Sequence, residues 1–397
     1  MPWSDSCRHI ISNYQVRGVM KLRLLTLAIA GLTLVACGSK EASAPGTTAA
    51  APGAEEKVLN IYNWSDYIAP DTIAKFEKET GIDVTYDEMD SNETLESKIL
   101  AGDTGYDIVV PSSSFLGRQI KAGAYQPLDK AQLGNWKNLD TNLLGKLTDV
   151  DPGNSHAVPY LWGTTGIGYN VEKITKIFGN TDVVNSWDLI FKPENLAKLK
   201  TCGVTFLDAA SEIIPTTLYA IGEDPNSFDP AVIDKAAAKL ESLRPYITNF
   251  HSSEYIESLA SGNVCIVVGW SGDIIQAKAR AEEAKNGVTI GYSIPAQGSA
   301  MWFDMMAIPK TAKHPKNAHL FLNFLMRPEI IAEVSNYVSY PNANAASTSL
   351  LDKTITDNPM ISPSKETINT KLYGLAVLPP DVMKKYTTVW TELKTSN

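Results

Sequence analysis

Short apolar segments alternate with amphipathic segments in the first part of the globular region. Apolar runs at 58–64, 82–86 and 106–110 predict strands that are buried on at least one face. The segments between them, 70–81 and 92–102, begin with helix-start residues and end at a glycine, which predicts two helices. This βαβαβ order predicts an open α/β sheet, on which ligands bind beyond the carboxyl ends of the strands.

Two extended segments, 157–170 and 286–295, contain several glycines and have no helical period. We interpret them as two crossings between lobes, with 171–285 forming most of a second lobe. Two α/β lobes joined by crossing strands can close on a ligand about a hinge. The pattern therefore predicts a two-lobed, hinged α/β protein.

The N-terminal region has a different pattern. A basic stretch at 20–23 precedes an apolar run at 24–36, which is too short to span a bilayer and is typical of a signal peptide. We expect residues 1–36 to be a signal peptide, with the true start of the protein at Met20.

Cys37 follows this run in the string LVACG, which resembles a bacterial lipobox. The alternative, an incidental or buried cysteine, is disfavoured by its place between small residues at the end of the run. We expect Cys37 to carry a lipid that tethers the protein to a membrane in the periplasm without spanning it. Residues 37–56, rich in Ala, Gly, Pro and Thr, predict a flexible linker.

The charge balance is acidic. The whole chain of 397 residues has a formal net charge of −9, and loss of residues 1–36 removes four basic groups and one acid, which gives −12. An acidic surface argues against nucleic acid as a partner and is compatible with cationic ligands.

Two cysteines remain in the globular region once Cys7 and Cys37 are set aside, namely Cys202 and Cys265. An exported chain meets an oxidising compartment, so we expect these two to form one disulfide. A metal site would need more ligands nearby, and His251 is the nearest histidine and stands alone.

Three tryptophans are each followed closely by a carboxylate at predicted strand ends: Trp64 with Asp66, Trp270 with Asp273, and Trp302 with Asp304. For each pair alone, the alternative is a tryptophan of the core and an aspartate that caps a helix. Together, at the predicted ligand edge, the pairs favour a binding site. Aromatic faces attract ammonium groups and cover methylenes, and carboxylates hold the charged ends.

This chemistry predicts an organic cation with an apolar body, such as a diamine. An enzyme would have to use the same residues as paired acids, as in a glycosidase. The sequence has no GxSxG elbow, HExxH motif, glycine-rich phosphate loop or Cys–His pair to support catalysis.

Nine strings in one order resemble the periplasmic putrescine- and spermidine-binding proteins of ABC importers: IYNWSDYI, DIVVPSSSFL, WGTTGIGYN, NSWDLIFKPENL, CGVTFLDA, HSSEYI, CIVVGWSGD, WFDMMAIP and YPNANAAS. The similarity runs from Leu59 to the C-terminal region. It implies a type II periplasmic-binding-protein fold, a clam-shell of two lobes, each an open α/β sheet. It also implies no catalysis, cofactor or metal, a monomer, and ABC permease subunits of the inner membrane as partners.

The resemblance carries over to particular residues of the site. It implies a first aromatic wall of Trp64 and Tyr67 with polar contacts from Ser65 and Asp66, and a polar loop with Ser112 and Ser114. It implies an acid of the second lobe, Glu212, and a tyrosine near the far edge of the cleft, Tyr340. Two aromatic–acid pairs complete the site, Trp270 with Asp273 and Trp302 with Asp304. Cys202 and Cys265 match a pair that is bridged in putrescine-binding relatives.

The two crossing segments suggest where the lobes begin and end. We expect lobe 1 at 57–162 and 289–335, and lobe 2 at 163–286 and 340–397.

A polyamine sensor that signals through a membrane receptor is the alternative to a transport component, and a secreted hydrolase is a more distant one.

Specificity between the two polyamines rests on five positions. Asp66, Ser114, Ala209 and Asp273 are similar to putrescine-type members, whereas Trp302 is similar to spermidine-type members. We therefore expect putrescine as the preferred ligand and keep spermidine as the alternative.

Overall fold

The computed structural model describes residues 55–396. The predicted signal peptide at 1–36, its start at Met20 and the lipidation site Cys37 lie outside the described residues. Of the predicted linker at 37–56, only the last two residues are described. These features of the N-terminal region therefore stay predictions.

Ten strands among the described residues form one hydrogen-bonded network. In chain order they are β1 (Val58–Trp64), β2 (Asp83–Met89), β3 (Ile108–Val109), β4 (Ala157–Asn170), β5 (Val204–Phe206), β6 (Asn249–Phe250), β7 (Ile266–Trp270), β8 (Ile290–Ser293), β9 (Ser299–Ala307) and β10 (Leu372–Gly374). Neighbouring strands follow the order β2-β1-β3-β9-β4-β7-β5-β6, with β10 beside β9 and β8 beside β4.

The two halves of this network have the same arrangement. In the first half β1 lies parallel between β2 and β3, and β9 runs antiparallel beside β3. In the second half β5 lies parallel between β6 and β7, and β4 runs antiparallel beside β7. The predicted α/β class and the βαβαβ start are confirmed.

Helices pack against the strands of both halves. Those among residues 55–396 are α1 (Asp71–Thr80), α2 (Asn92–Ala101), α3 (Ser113–Lys121), α4 (Thr141–Lys146), α5 (Val171–Phe178), α6 (Asp188–Phe191), α7 (Pro193–Leu199), α8 (Ala210–Ala220), α9 (Pro230–Leu243), α10 (Tyr255–Ala260), α11 (Ser271–Ala284), α12 (Pro315–Leu325), α13 (Pro328–Val338), α14 (Lys353–Thr356), α15 (Lys365–Thr370) and α16 (Pro380–Thr395). In this part of the chain, none of them has the length and apolar character needed to cross a bilayer.

The end of α1 illustrates how the sequence sets these boundaries. Gly81 takes a left-handed conformation with φ 67°, and its backbone N–H donates to the carbonyl of Glu77. Such a conformation is unfavourable for residues that carry a Cβ, so the glycine ends the helix and directs the chain into β2.

Strand β4 joins the two halves. Its residues 157–164 pair with β9 in the first half, and residues 165–170 pair with β7 and β8 in the second. Because β8 pairs within the second half, the chain returns to the first half after β8, at β9. This pairing favours a return crossing just beyond the predicted 286–295.

Two separate hydrophobic cores correspond to the two halves. Ile61 and Phe321 are buried in the first, and Val267 and Tyr386 are buried in the second. Helix α16 therefore packs with the second half, whereas Tyr340 belongs to the first core. The lobe boundaries stay a prediction. The place of Tyr340 in the first core favours a start after residue 340 for the C-terminal segment of lobe 2, which is expected at 340–397.

A disulfide joins Cys202 and Cys265 in the second half, with Cα atoms 5.5 Å apart. It closes a loop with a sequence separation of 63 residues and connects the segment before β5 to the start of β7. The strands that it connects, β5 and β7, are neighbours in the sheet.

We predict that replacing both Cys202 and Cys265 by serine lowers the free energy of unfolding by up to about 4 kcal/mol, because a cross-link over a loop of this length restricts the unfolded chain. Denaturant unfolding of the two proteins measures this difference. Non-reducing digestion of the native protein, followed by mass spectrometry, should find the two cysteine peptides linked. Recovery of both as free thiols would contradict the assignment.

Candidate ligand-binding site

A cavity of about 480 Å³, including its open mouth, lies where strand ends from both halves meet. Ten of the twelve residues predicted to bind a ligand line it, and they are Trp64, Ser65, Tyr67, Ser112, Glu212, Trp270, Asp273, Trp302, Asp304 and Tyr340. Most of these follow a strand or begin the next helix, as expected for the ligand edge of an α/β sheet.

Two of the predicted residues are not part of the lining. Asp66 turns away from the cavity, and its Oδ1 lies 3.0 Å from Nη2 of Arg280, with 46% of the Asp66 side chain exposed. Ser114 is buried in the first turn of α3. Their contact with a ligand stays a prediction, and the geometry gives Asp66 a different partner.

Five lining residues were missed in the sequence, namely Met89, Asp90, Ser252, Ser253 and Ile256. Asp90 directly follows β2, just as other lining residues follow β1 and β3, so its position at a strand end could have identified it. Ser252 and Ser253 lie within the string HSSEYI, which carries part of the family resemblance.

Aromatic rings form a continuous wall of the cavity. The ring centroids of Trp64 and Trp270 are 5.9 Å apart, and those of Trp270 and Trp302 are 6.3 Å apart. Trp302 is 5.6 Å from Tyr340, which in turn is 5.2 Å from Tyr67. These spacings are typical of favourable aromatic contacts. Four of these rings belong to the first core, whereas Trp270 ends β7 of the second half and packs against both cores, so both halves of the protein shape the wall.

The indole of Trp302 fits because a glycine lies opposite it. Gly163 of β4 pairs with Trp302 of β9. A Cβ at position 163 would lie 2.8 Å from Cζ2 of the indole, closer than van der Waals contact allows. The sequence therefore provides room for this large side chain on the neighbouring strand.

Asp304 is the most buried of the acids that line the cavity. It lies within β9 and is 4% exposed, and the Ser112 hydroxyl donates to its Oδ1 over 2.6 Å. Burial raises the pKa of Asp304 to about 7, although the hydrogen bond from Ser112 acts in the opposite direction. The carboxyl group is thus held in place but poorly stabilised as an anion.

Asp273 begins α11 and is held by two tyrosines. The Tyr340 hydroxyl donates to Oδ1 and the Tyr255 hydroxyl to Oδ2, each over 2.7 Å. Burial raises the pKa of Asp273 to about 6 in spite of these bonds. Tyr340 belongs to the first core and Tyr255 to the second, so Asp273 connects the two halves.

Glu212 lies in the first turn of α8. The Thr165 hydroxyl donates to Oε2 over 2.6 Å, and Nε1 of Trp270 lies 2.9 Å and 3.1 Å from the two carboxylate oxygens. Burial raises the pKa of Glu212 to about 7. The same tryptophan that forms the aromatic wall therefore also orients a carboxylate.

The described lining of the cavity gives its acids no internal counter-charge. Among the described residues that line it, none is Lys, Arg or His, whereas four are acids. Three of the acids are buried, and besides burial the charge of Asp273 raises the pKa of both Glu212 and Asp304. Nor is there, within residues 55–396, a group of three His, Cys, Asp or Glu side chains placed to hold a metal ion. The chemistry of the lining suits a cation with an apolar body.

Known proteins share this fold over most of the chain. The solved structure of the spermidine/putrescine ABC transporter substrate-binding protein PotD from Streptococcus pneumoniae is 31% identical, with a TM-score of 0.68, and covers 85% of this chain and 99% of its own. The fold, with a cavity between its two halves, is that of a periplasmic binding protein.

Sequence comparison specifies the family. A profile described as bacterial extracellular solute-binding protein matches residues 71–363, and the chain belongs to this family. It is a binding protein and not an enzyme.

Two curated relatives align over nearly their whole length. The putrescine-binding periplasmic protein SpuD of Pseudomonas aeruginosa is 55% identical over 344 residues, which is 87% of this chain and 94% of that protein. The putrescine-binding periplasmic protein PotF of Escherichia coli is 51% identical over 364 residues, or 91% and 97% of the two chains.

The ligand-free protein is expected to lose stability as the pH rises from about 5 to about 8, because the folded-state pKa values of the cavity acids lie above the value of about 4 for an unfolded Asp or Glu. The folded state binds more protons than the unfolded chain in this window. Asp304→Asn keeps an acceptor for Ser112 but cannot ionise. Its thermal midpoint should therefore exceed that of the native protein more at pH 8 than at pH 5.

Asp83→Asn is the control, since Asp83 is an exposed acid of β2. This variant should have the same pH dependence as the native protein. Parallel pH curves for the native protein and Asp304→Asn would contradict the raised pKa of Asp304.

Proposed function

We propose that this protein captures a polyamine, with putrescine preferred, and delivers it to an ABC permease in the membrane. One observation carries the proposal: three buried carboxylates and an aromatic wall line a cavity whose described lining has no basic side chain. A diamine needs an acid for each ammonium group and apolar contacts for the methylenes between them, and the cavity offers both.

The energetics favour this class of ligand. Ionised carboxylates in a desolvated cavity repel one another, and each is costly to bury without a counter-charge. An ammonium group removes this cost and gains charge-assisted hydrogen bonds. Asp304 and Asp273 are the acids that we expect to hold the two ends, and Glu212 adds a third negative group.

The relatives support the same ligand and location. SpuD and PotF are named as putrescine-binding periplasmic proteins, and both are more than half identical to this chain. A relative from Pseudomonas aeruginosa named as a putrescine/agmatine-binding protein is 46% identical. We propose a periplasmic, monomeric protein that is tethered to a membrane through a lipid on Cys37.

Trp302 is similar to spermidine-type members, but the room that its indole takes up supports putrescine as the preferred ligand. Trp302 packs between Trp270 and Tyr340 in the wall of the cavity. A bulkier wall shortens the room for a chain with an additional aminopropyl arm. We therefore place putrescine before spermidine.

A calorimetric screen against putrescine, cadaverine, spermidine, spermine and basic amino acids tests the proposed ligand. We expect putrescine to bind most tightly and to be recovered unchanged. Asp304→Asn should weaken putrescine binding by about 2–5 kcal/mol, the range for removing one partner of a buried charge pair. A native protein that binds none of the amines would contradict the proposed function.

Asp66→Asn is the matched control for this charge removal. Its carboxylate faces Arg280 at the surface and does not line the cavity. The loss should be below about 1 kcal/mol, as for exposed ion pairs. An equal loss in both variants would contradict a special role for Asp304.

Trp302→Phe should weaken putrescine binding by about 0.5–1.5 kcal/mol, the scale of one aromatic contact, because a phenyl ring covers less methylene surface. Putrescine should remain the preferred ligand in both proteins. Calorimetry with putrescine and spermidine on both proteins measures this. A native preference for spermidine that disappears in Trp302→Phe would overturn the ranking.

A further inference from the structure

Asn92, at the start of α2, is buried behind the cavity and does not line it. Its side-chain amide contacts Ser112, in the loop after β3, by two hydrogen bonds. The backbone N–H of Ser112 donates to Oδ1 of Asn92 over 2.9 Å, and Nδ2 of Asn92 donates to the Ser112 hydroxyl oxygen over 3.0 Å.

The direction of these bonds is determined by chemistry. A backbone N–H can only donate, so the Asn92 atom that faces it is the carbonyl oxygen, and the amide nitrogen then faces the Ser112 hydroxyl. Ser112 has one hydroxyl hydrogen. Because its oxygen accepts from Asn92, this hydrogen is directed at Asp304, whose Oδ1 lies 2.6 Å away.

Asn92 is not needed to cap α2, and other bonds also support the backbone at Ser112. The cap of α2 is supplied by Ser91, whose side chain accepts from the backbone N–H of Thr94. The position of the Ser112 backbone is supported by pairing with Asp304 and by the bond from the N–H of Met305 to the carbonyl of Pro111. Asn92 accepts from the Ser112 backbone N–H and, in addition, fixes the orientation of the Ser112 hydroxyl.

We propose that Asn92 is a positioning residue of the polyamine site, which orients the Ser112 hydroxyl toward Asp304 and so favours the ionised carboxylate that binds an ammonium group. This proposal rests on the proposed function. The bond from Ser112 lowers the pKa of Asp304, against the rise caused by burial. A freely rotating hydroxyl would lose part of this effect.

The test compares Asn92→Ala with the native protein by two measurements. Carbon-13 NMR of the aspartate carboxyl groups, without ligand, should show the pKa of Asp304 raised by about half to one unit, with Asp304→Asn identifying the signal. Calorimetry should show putrescine affinity lowered about tenfold at pH 7, with a smaller loss at pH 9.

Asn317→Ala is the matched control. Asn317 is also buried in the first turn of a helix of the first half, and its Nδ2 donates to the carbonyls of Glu56 and Val58 over 2.7 Å and 2.9 Å, away from the cavity. It should lower stability but leave the Asp304 titration and the pH profile of binding unchanged.

Ser112→Ala then separates positioning from a general loss of structure. If Asn92 acts through Ser112, adding Asn92→Ala to Ser112→Ala should change putrescine affinity by less than about twofold. An unchanged Asp304 titration in Asn92→Ala, or the same affinity loss with and without Ser112, would overturn the proposal. Absence of polyamine binding by the native protein would instead contradict the proposed function, because the ligand-free titration tests Asn92 separately.

Discussion

A protein that binds a buried cation must hold carboxylates in its cavity without pairing them with its own basic side chains. The acids of this cavity meet the constraint because their hydrogen-bond donors are neutral groups. The donors to Asp304, Asp273 and Glu212 are hydroxyl and indole groups, namely those of Ser112, Tyr340, Tyr255, Thr165 and Trp270. A lysine or arginine in their place would form an internal ion pair that competes with the ligand. Neutral donors position the carboxylates and leave their charge for the ligand.

The same constraint explains why the site is built from both halves of the protein. Burial on all sides requires walls from both halves, and β4 connects the two halves directly by pairing with β9 in the first and with β7 in the second. Tyr340 of the first core bonds Asp273 of α11, and Trp64 of β1 contacts Trp270 of β7. Closure of two lobes about crossing strands is a known means of excluding water from a ligand.

Much of the fold and of the site was predictable from local sequence. Strand β1 has the predicted bounds, and α1 and α2 end where glycines follow them. Trp64 and Trp270 belong to the lining because strand ends converge at one edge of each sheet. These features depend on residues that are close together in the chain.

Features that depend on distant partners were less predictable. Asp66 stands at a strand end like the others, but its backbone has a positive φ of 55° and its side chain meets Arg280, which is 214 residues away. Asn92 looks like an ordinary helix start, and its role depends on Ser112 and Asp304. Neither partnership has a sequence signal, because both arise only when the chain folds.

The raised pKa values of the buried acids have a consequence for the heat of binding. At pH 7 part of the Asp304 and Glu212 population is protonated, since both pKa values are about 7. A cation that requires the ionised form expels these protons, which the buffer then takes up. The binding enthalpies measured in phosphate and in Tris will therefore differ. Dividing this difference in binding enthalpy by the difference between the ionisation heats of the two buffers gives the number of protons that one ligand displaces.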